Sequence, residues 1–146
     1  MINKSAVKSK SESKPKMDRY FEAGGGRKTA TAMVRLFNKK GSILVNGKDY
    51  MEYFRSSPKN QLVVRSPLES VSLLGSHSAS ALVNGGGLNA QAEAIRNALS
   101  KALVSSNDVF KKNLRQAGFL TRDPRMVERK KYGLKKARRA PQWAKR

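Results

Sequence analysis

The chain has 146 residues, of which 31 are Lys or Arg and 10 are Asp or Glu, leaving a formal charge of +21. That length holds one domain plus tails, and the lack of cysteine excludes disulfides and thiolate metal sites. No apolar run nears the roughly 20 residues needed to span a bilayer, and a charge excess of this size opposes compaction unless a polyanion (nucleic acid, an anionic membrane surface or an acidic protein) compensates it.

Residues 1–19 are rich in Lys and Ser and have no apolar periodicity. They resemble a transit peptide slightly, but Glu12, Asp18 and the preference for Lys over Arg favour a plain disordered extension. The composition changes at Tyr20. Residues 29–37, TATAMVRLF, are β-branched and partly alternating, which predicts a strand. Turn chemistry at 38–41 leads to a second strand at 42–45, and the two read as a hairpin. Asn46 and Gly47 signal another tight turn. A short helix is expected over 49–54, stopped by Ser57 and Pro58, then a helix from Asn60 that ends before Pro67. Residues 78–83 are small and read as a strand. Leu88, Ala92, Ile95, Leu99 and Leu103 recur at helical spacing and define the clearest element of the chain. Asn107 or Asp108 can cap a last helix, with Phe110, Leu114 and Ala117 on its face and Gly118 as its C-terminal glycine.

Three motifs invite chemical readings. GGGLNA at 85–90 matches a dinucleotide fingerprint, but Asp108, the acid at about the right distance, falls in a helical region. Tight strand–helix packing, or a helix start meeting an RNA phosphate, explains these glycines better. GGGRKT at 24–29 is not a P-loop, since Arg27 replaces the glycine before the lysine. It reads as a glycine-relaxed turn presenting Arg27 and Lys28 to phosphates. His77 is the only histidine and reads as a loop residue, without partners for a metal site or a catalytic triad.

The C-terminal segment decides most. From Arg122 to Arg146 eleven basic and two acidic residues give +9 over 25 residues. No apolar stripe could dock such a segment on its own domain as a helix. Gly133 and Pro141 favour a threading, extended path, which could reach roughly 80 Å. Arg forks suit phosphate oxygens, while Tyr132 and Trp143 can stack on bases. The candidate phosphate ligands are Arg122, Arg125, Arg129, Lys130, Lys131, Lys135, Lys136, Arg138 and Arg139, with Tyr132 beside them. Composition alone does not separate RNA from DNA. A helix-turn-helix over 89–117 is the DNA-binding rival, and it lacks a recognition-helix cue.

LTRDPRMVERKKYGLKKARRAPQWAKR resembles the C-terminus of the bacterial-type small-subunit ribosomal protein nine family. GRKTATAMVRL, GSILVNGKDYMEYF, SPLESV and GGGLNAQAEAIRNALSKAL match further stretches of that family in order, so the resemblance covers residues 20–146. It implies an α+β domain over 20–121, followed by the basic extended tail over 122–146. The implied domain is a four-stranded sheet with helices on one face, similar to the second domain of small-subunit protein five and containing a left-handed βαβ crossover. It also implies a non-enzymatic protein of the small-subunit head, ribosome-bound in the cytoplasm (an organellar ribosome also fits), bound to 16S-type ribosomal RNA and to neighbouring head proteins. By the same likeness Arg96 is a ribosomal RNA contact, and Lys145 and Arg146 reach the peptidyl-site transfer RNA. No cofactor, metal, membrane or small-molecule substrate enters this reading. The chain departs from the family pattern at Gly26, usually Arg, at Glu93, usually Gly, and at Trp143 and Ala144, usually Phe-Ser; its GSHSASALVN stretch is also less hydrophobic than is usual for the family, which implies a looser sheet there.

Overall fold

The computed structural model describes residues 19–144. The expected N-terminal extension therefore lies outside the described residues except for Arg19, as do Lys145 and Arg146. The elements run β1 (Tyr20–Arg27), β2 (Ala30–Phe37), β3 (Ile43–Val45), β4 (Lys48–Asp49), α1 (Tyr50–Tyr53), α2 (Pro58–Ser70), β5 (Ser78–Asn84), α3 (Leu88–Ser106) and α4 (Phe110–Gln116). Among the described residues one mixed sheet has the order β1-β2-β5-β3-β4, in which only the β3–β5 pairing is parallel.

Strand β2 shows why a sheet forms. Its alternate residues Ala30, Ala32, Val34 and Leu36 are buried, whereas Thr31, Met33 and Arg35 are exposed, the period-two signature of a half-covered sheet. Helix α3 lies against β1 and β2 and packs beside α2. Its Ile95, Leu99 and Leu103 are fully buried, and burial of each such side chain stabilises the fold by roughly 1.5–3 kcal/mol.

Five strands replace the expected four, because Asn46 and Gly47 turn the chain back for the two residues of β4. Strand β1 was not foreseen, since its AGGGR stretch carries no β signal. Its glycines are there for the helix: a Cβ on Gly25 would sit 2.4 Å from the Ala94 carbonyl oxygen and 2.5 Å from the Ala98 nitrogen. The sheet and α3 thus approach backbone to backbone, with alanines facing glycine.

The expected hairpin of residues 29–37 with 42–45 does not form. β2 pairs instead with β1 and β5, and β5 offers it seven paired residues. The three residues of β3 cross to the far edge of β5, and α1 and α2 complete a β–α–β unit between these parallel neighbours. β5 is hydrogen-bonded along both edges and is the central strand, not a loose one; the side chain of Asn46 extends the pairing by bonding both the N–H and the carbonyl of Val83.

Helix α2 runs through Pro67 rather than ending before it. Proline removes the N–H that would bond to the carbonyl four residues earlier. Here that carbonyl, on Val63, accepts the Ser66 hydroxyl at 2.8 Å, and the Pro67 ring is buried. The last helix is capped by neither Asn107 nor Asp108: its N-cap is Val109, without a side-chain bond, because Asn107 Oδ1 accepts the Val109 N–H at 3.0 Å in the turn before it; Gly118 has φ +73 as its position required.

Candidate nucleic-acid interface

Gly118 turns the chain so that Phe119 and Leu120 return along α3. There the buried side-chain amide of Asn97 donates to both of their carbonyls, at 3.0 and 3.1 Å. The Arg96 guanidinium lies 5.2 Å from the centre of the Phe119 ring, within cation–π range. Arg122 lies over the end of β1, where a Cβ on Gly26 would come within 3.6 Å of its guanidinium. We expect Asn97→Ala to destabilise the domain by about 1–3 kcal/mol through two unpaired carbonyls, read as a lower urea midpoint.

Arg27 ends β1, and its side chain is only 13% exposed. Its Nε donates to Glu93 Oε2 of α3 at 2.6 Å, and its Nη2 meets Asp123 Oδ2 at 3.1 Å. Its Nη1 donates to the carbonyls of Asp123 and Arg125. Asp123 also accepts the backbone N–H and the side chain of Arg125. These Arg125 bonds, with the charges of Arg125 and Arg27, hold its carboxyl far below the ordinary carboxylate range. Glu128 is lowered in the same direction by Lys131 and then Arg138, each at 2.8 Å. Both acids therefore stay charged at neutral pH, and their ion pairs are lost as pH falls through their lowered pKa values.

Beyond Thr121 the described chain has no helix or strand. Glu128 gathers Lys131 and Arg138 into a loop, which is closed by a 2.8 Å bond from the Lys135 N–H to the Arg139 carbonyl. The Lys and Arg side chains here are exposed, and Tyr132 and Trp143 are 97% and 81% exposed. The sheet face turned away from the helices differs: Met33 stands opposite Leu82, both exposed, and Arg35 is taken up by Glu22 at 3.5 Å and by the Tyr20 ring.

The sequence model of the family described as ribosomal protein S9/S16 matches residues 25–146, from within β1 to the end of the tail. The chain belongs to that family. It is 51% identical over 126 residues to the small ribosomal subunit protein uS9 of Cytophaga hutchinsonii, an overlap covering 86% of this chain and 98% of that relative.

Within this S9/S16 chain the residues singled out from sequence separate into groups. Lys28 is exposed at the tip of the β1–β2 turn with φ 52. Arg27, its neighbour, points inward. Arg96 and Arg122 lie at the root of the tail. Arg125, Arg129, Lys130, Lys131, Tyr132, Lys135, Lys136, Arg138 and Arg139 are exposed along the tail. Sequence reasoning passed over Asn97, Glu93 and Asp123 as anchors of that root. It also passed over Lys111, Lys112 and Arg115, exposed on α4. The α4 cluster was legible in principle, since these cations fall off the Phe110–Leu114 stripe. The anchors were not, because they meet across long sequence separations.

Proposed function

We propose that the chain is a structural, non-enzymatic constituent of the small ribosomal subunit head in cytoplasmic ribosomes. Its domain docks on 16S-type ribosomal RNA beside neighbouring head proteins. Its tail neutralises converging phosphates and brings Lys145 and Arg146 to the peptidyl-site transfer RNA. The observation that carries this reading is the exposed tail, where Arg forks and two open aromatic rings leave the domain with few acids to pair them. The name of the Cytophaga relative, a small-subunit protein, supports the assembly. The reading includes the second-domain likeness to small-subunit protein five, with a left-handed β3–α1–α2–β5 connection, which would be an exception to the usual hand.

Removing Lys145 and Arg146 is expected to weaken transfer RNA binding at the peptidyl site of reconstituted small subunits. The same variant should co-sediment with those subunits as the full chain does. Undiminished transfer RNA affinity in the truncated particles would rule out the role of the terminal pair, and failure of the full chain to enter the particles would rule out the assembly.

A further inference from the structure

We propose that Arg27, Glu93 and Asp123 form a clamp that sets the direction in which the tail leaves the domain before any RNA is bound. Arg27 then acts as a positioning residue, not a phosphate ligand. The inference rests on the reading above only for what the tail later meets.

The argument begins with a charge problem. The tail from Arg122 carries +9 and the rest of the chain +12, so the two repel over the Debye length of about 8 Å and beyond at low salt. Something local must hold the first tail residues against a body of like sign. Glu93 supplies an acid from α3, Asp123 one from the tail, and the Arg27 fork bridges them from β1. Without the guanidinium the two carboxylates would repel each other, so the bridge depends on that side chain. Three hydrogen bonds, to the Glu93 carboxylate and to two carbonyls, and the ion pair with Asp123 engage all three nitrogens of the fork. A phosphate could engage this partly buried fork only by displacing acids already tethered to it. Lysine could not replace it, having a point charge where a planar fork is needed.

One hold would let the tail swivel, but the structure provides two. The Asn97 amide grips the carbonyls of Phe119 and Leu120, and the clamp grips 123–125. Between Asp123 and Arg125 stands Pro124, with fixed φ, spanned by the bond from the Arg125 N–H to Asp123 Oδ1 at 2.9 Å. Two grips and a stiff turn define a direction.

The chain has no cysteine, so paired spin labels can be placed at Leu62→Cys on α2 and Val127→Cys just past the clamp, both exposed. In the free full-length protein the clamp gives a narrow distance distribution. Glu93→Gln combined with Asp123→Asn should broaden it severalfold, and Arg27→Lys should broaden it although the charge is kept. The domain's circular dichroism melt serves as the folding control. In RNA binding, Arg27→Gln should slow association while leaving the slope of log affinity against log salt unchanged. A phosphate ligand would instead lower that slope by about one unit. A broad distribution in the parent, an unaltered one in the variants, or a slope reduced by Arg27→Gln overturns the clamp. The label distances are read without RNA, so they stand or fall separately from the ribosomal assignment.

Discussion

A chain ending at Thr121 is expected to bind small-subunit ribosomal RNA about a thousandfold more weakly than the full chain near physiological salt. The tail carries a net +9, and each phosphate it neutralises releases counterions, worth roughly 0.7–0.9 in the log–log salt slope. If all of that net charge meets phosphates, truncation flattens the slope by about 6 to 8. The shortened chain keeps its fold, because the buried core is complete by Leu114, and Phe119 and Leu120 remain on α3. Filter binding at several salt concentrations checks both numbers. Equal affinities and equal slopes would transfer the binding to the domain, with Lys111, Lys112 and Arg115 of α4 the first residues to examine.

The second large effect is on stability. Gly25→Val should destabilise the domain by about 3 kcal/mol or more, the upper end of overpacking penalties. The new Cβ would collide with main-chain atoms, the Ala94 oxygen and the Ala98 nitrogen, not with a side chain that can rotate away. Helix α3 would have to lift from β1, loosening the burial of Ile95, Leu99 and Leu103. For a domain of this size the melting temperature should fall by about 15 °C. Gly24→Ala is the matched control. Its Cβ meets only the Ala32 oxygen, at 4.0 Å, so its melt should stay close to that of the parent. Equal losses for both would mean that general strand glycine content matters, and not the close approach of the helix.

The contrast between these two glycines shows what could be read from the sequence. Leu88 to Leu103 announced α3 because helix periodicity is local, and the alternation of 29–37 announced β2 for the same reason. Tail composition pointed to a polyanion without any fold. What stayed hidden depends on contacts between distant residues. The Gly24–Gly26 stretch reads as a glycine-relaxed turn until a helix about 70 residues later lies on it. Pro67 reads as a stop until the Ser66 hydroxyl is seen on the Val63 carbonyl. The strand at 42–45 reads as a hairpin partner until β5 takes that edge. Arg27 and Lys28 are adjacent and chemically alike, yet one turns to two carboxylates and the other to solvent.

The exposed Met33 and Leu82 on the open side of the sheet have a colloidal consequence. Two molecules could shelter these side chains only by stacking sheet to sheet, which would bring two bodies of +21 each into contact. In dilute buffer mutual repulsion should keep the protein monodisperse despite its greasy flank. Added electrolyte should erode that protection, so light scattering from the RNA-free protein is expected to rise with ionic strength.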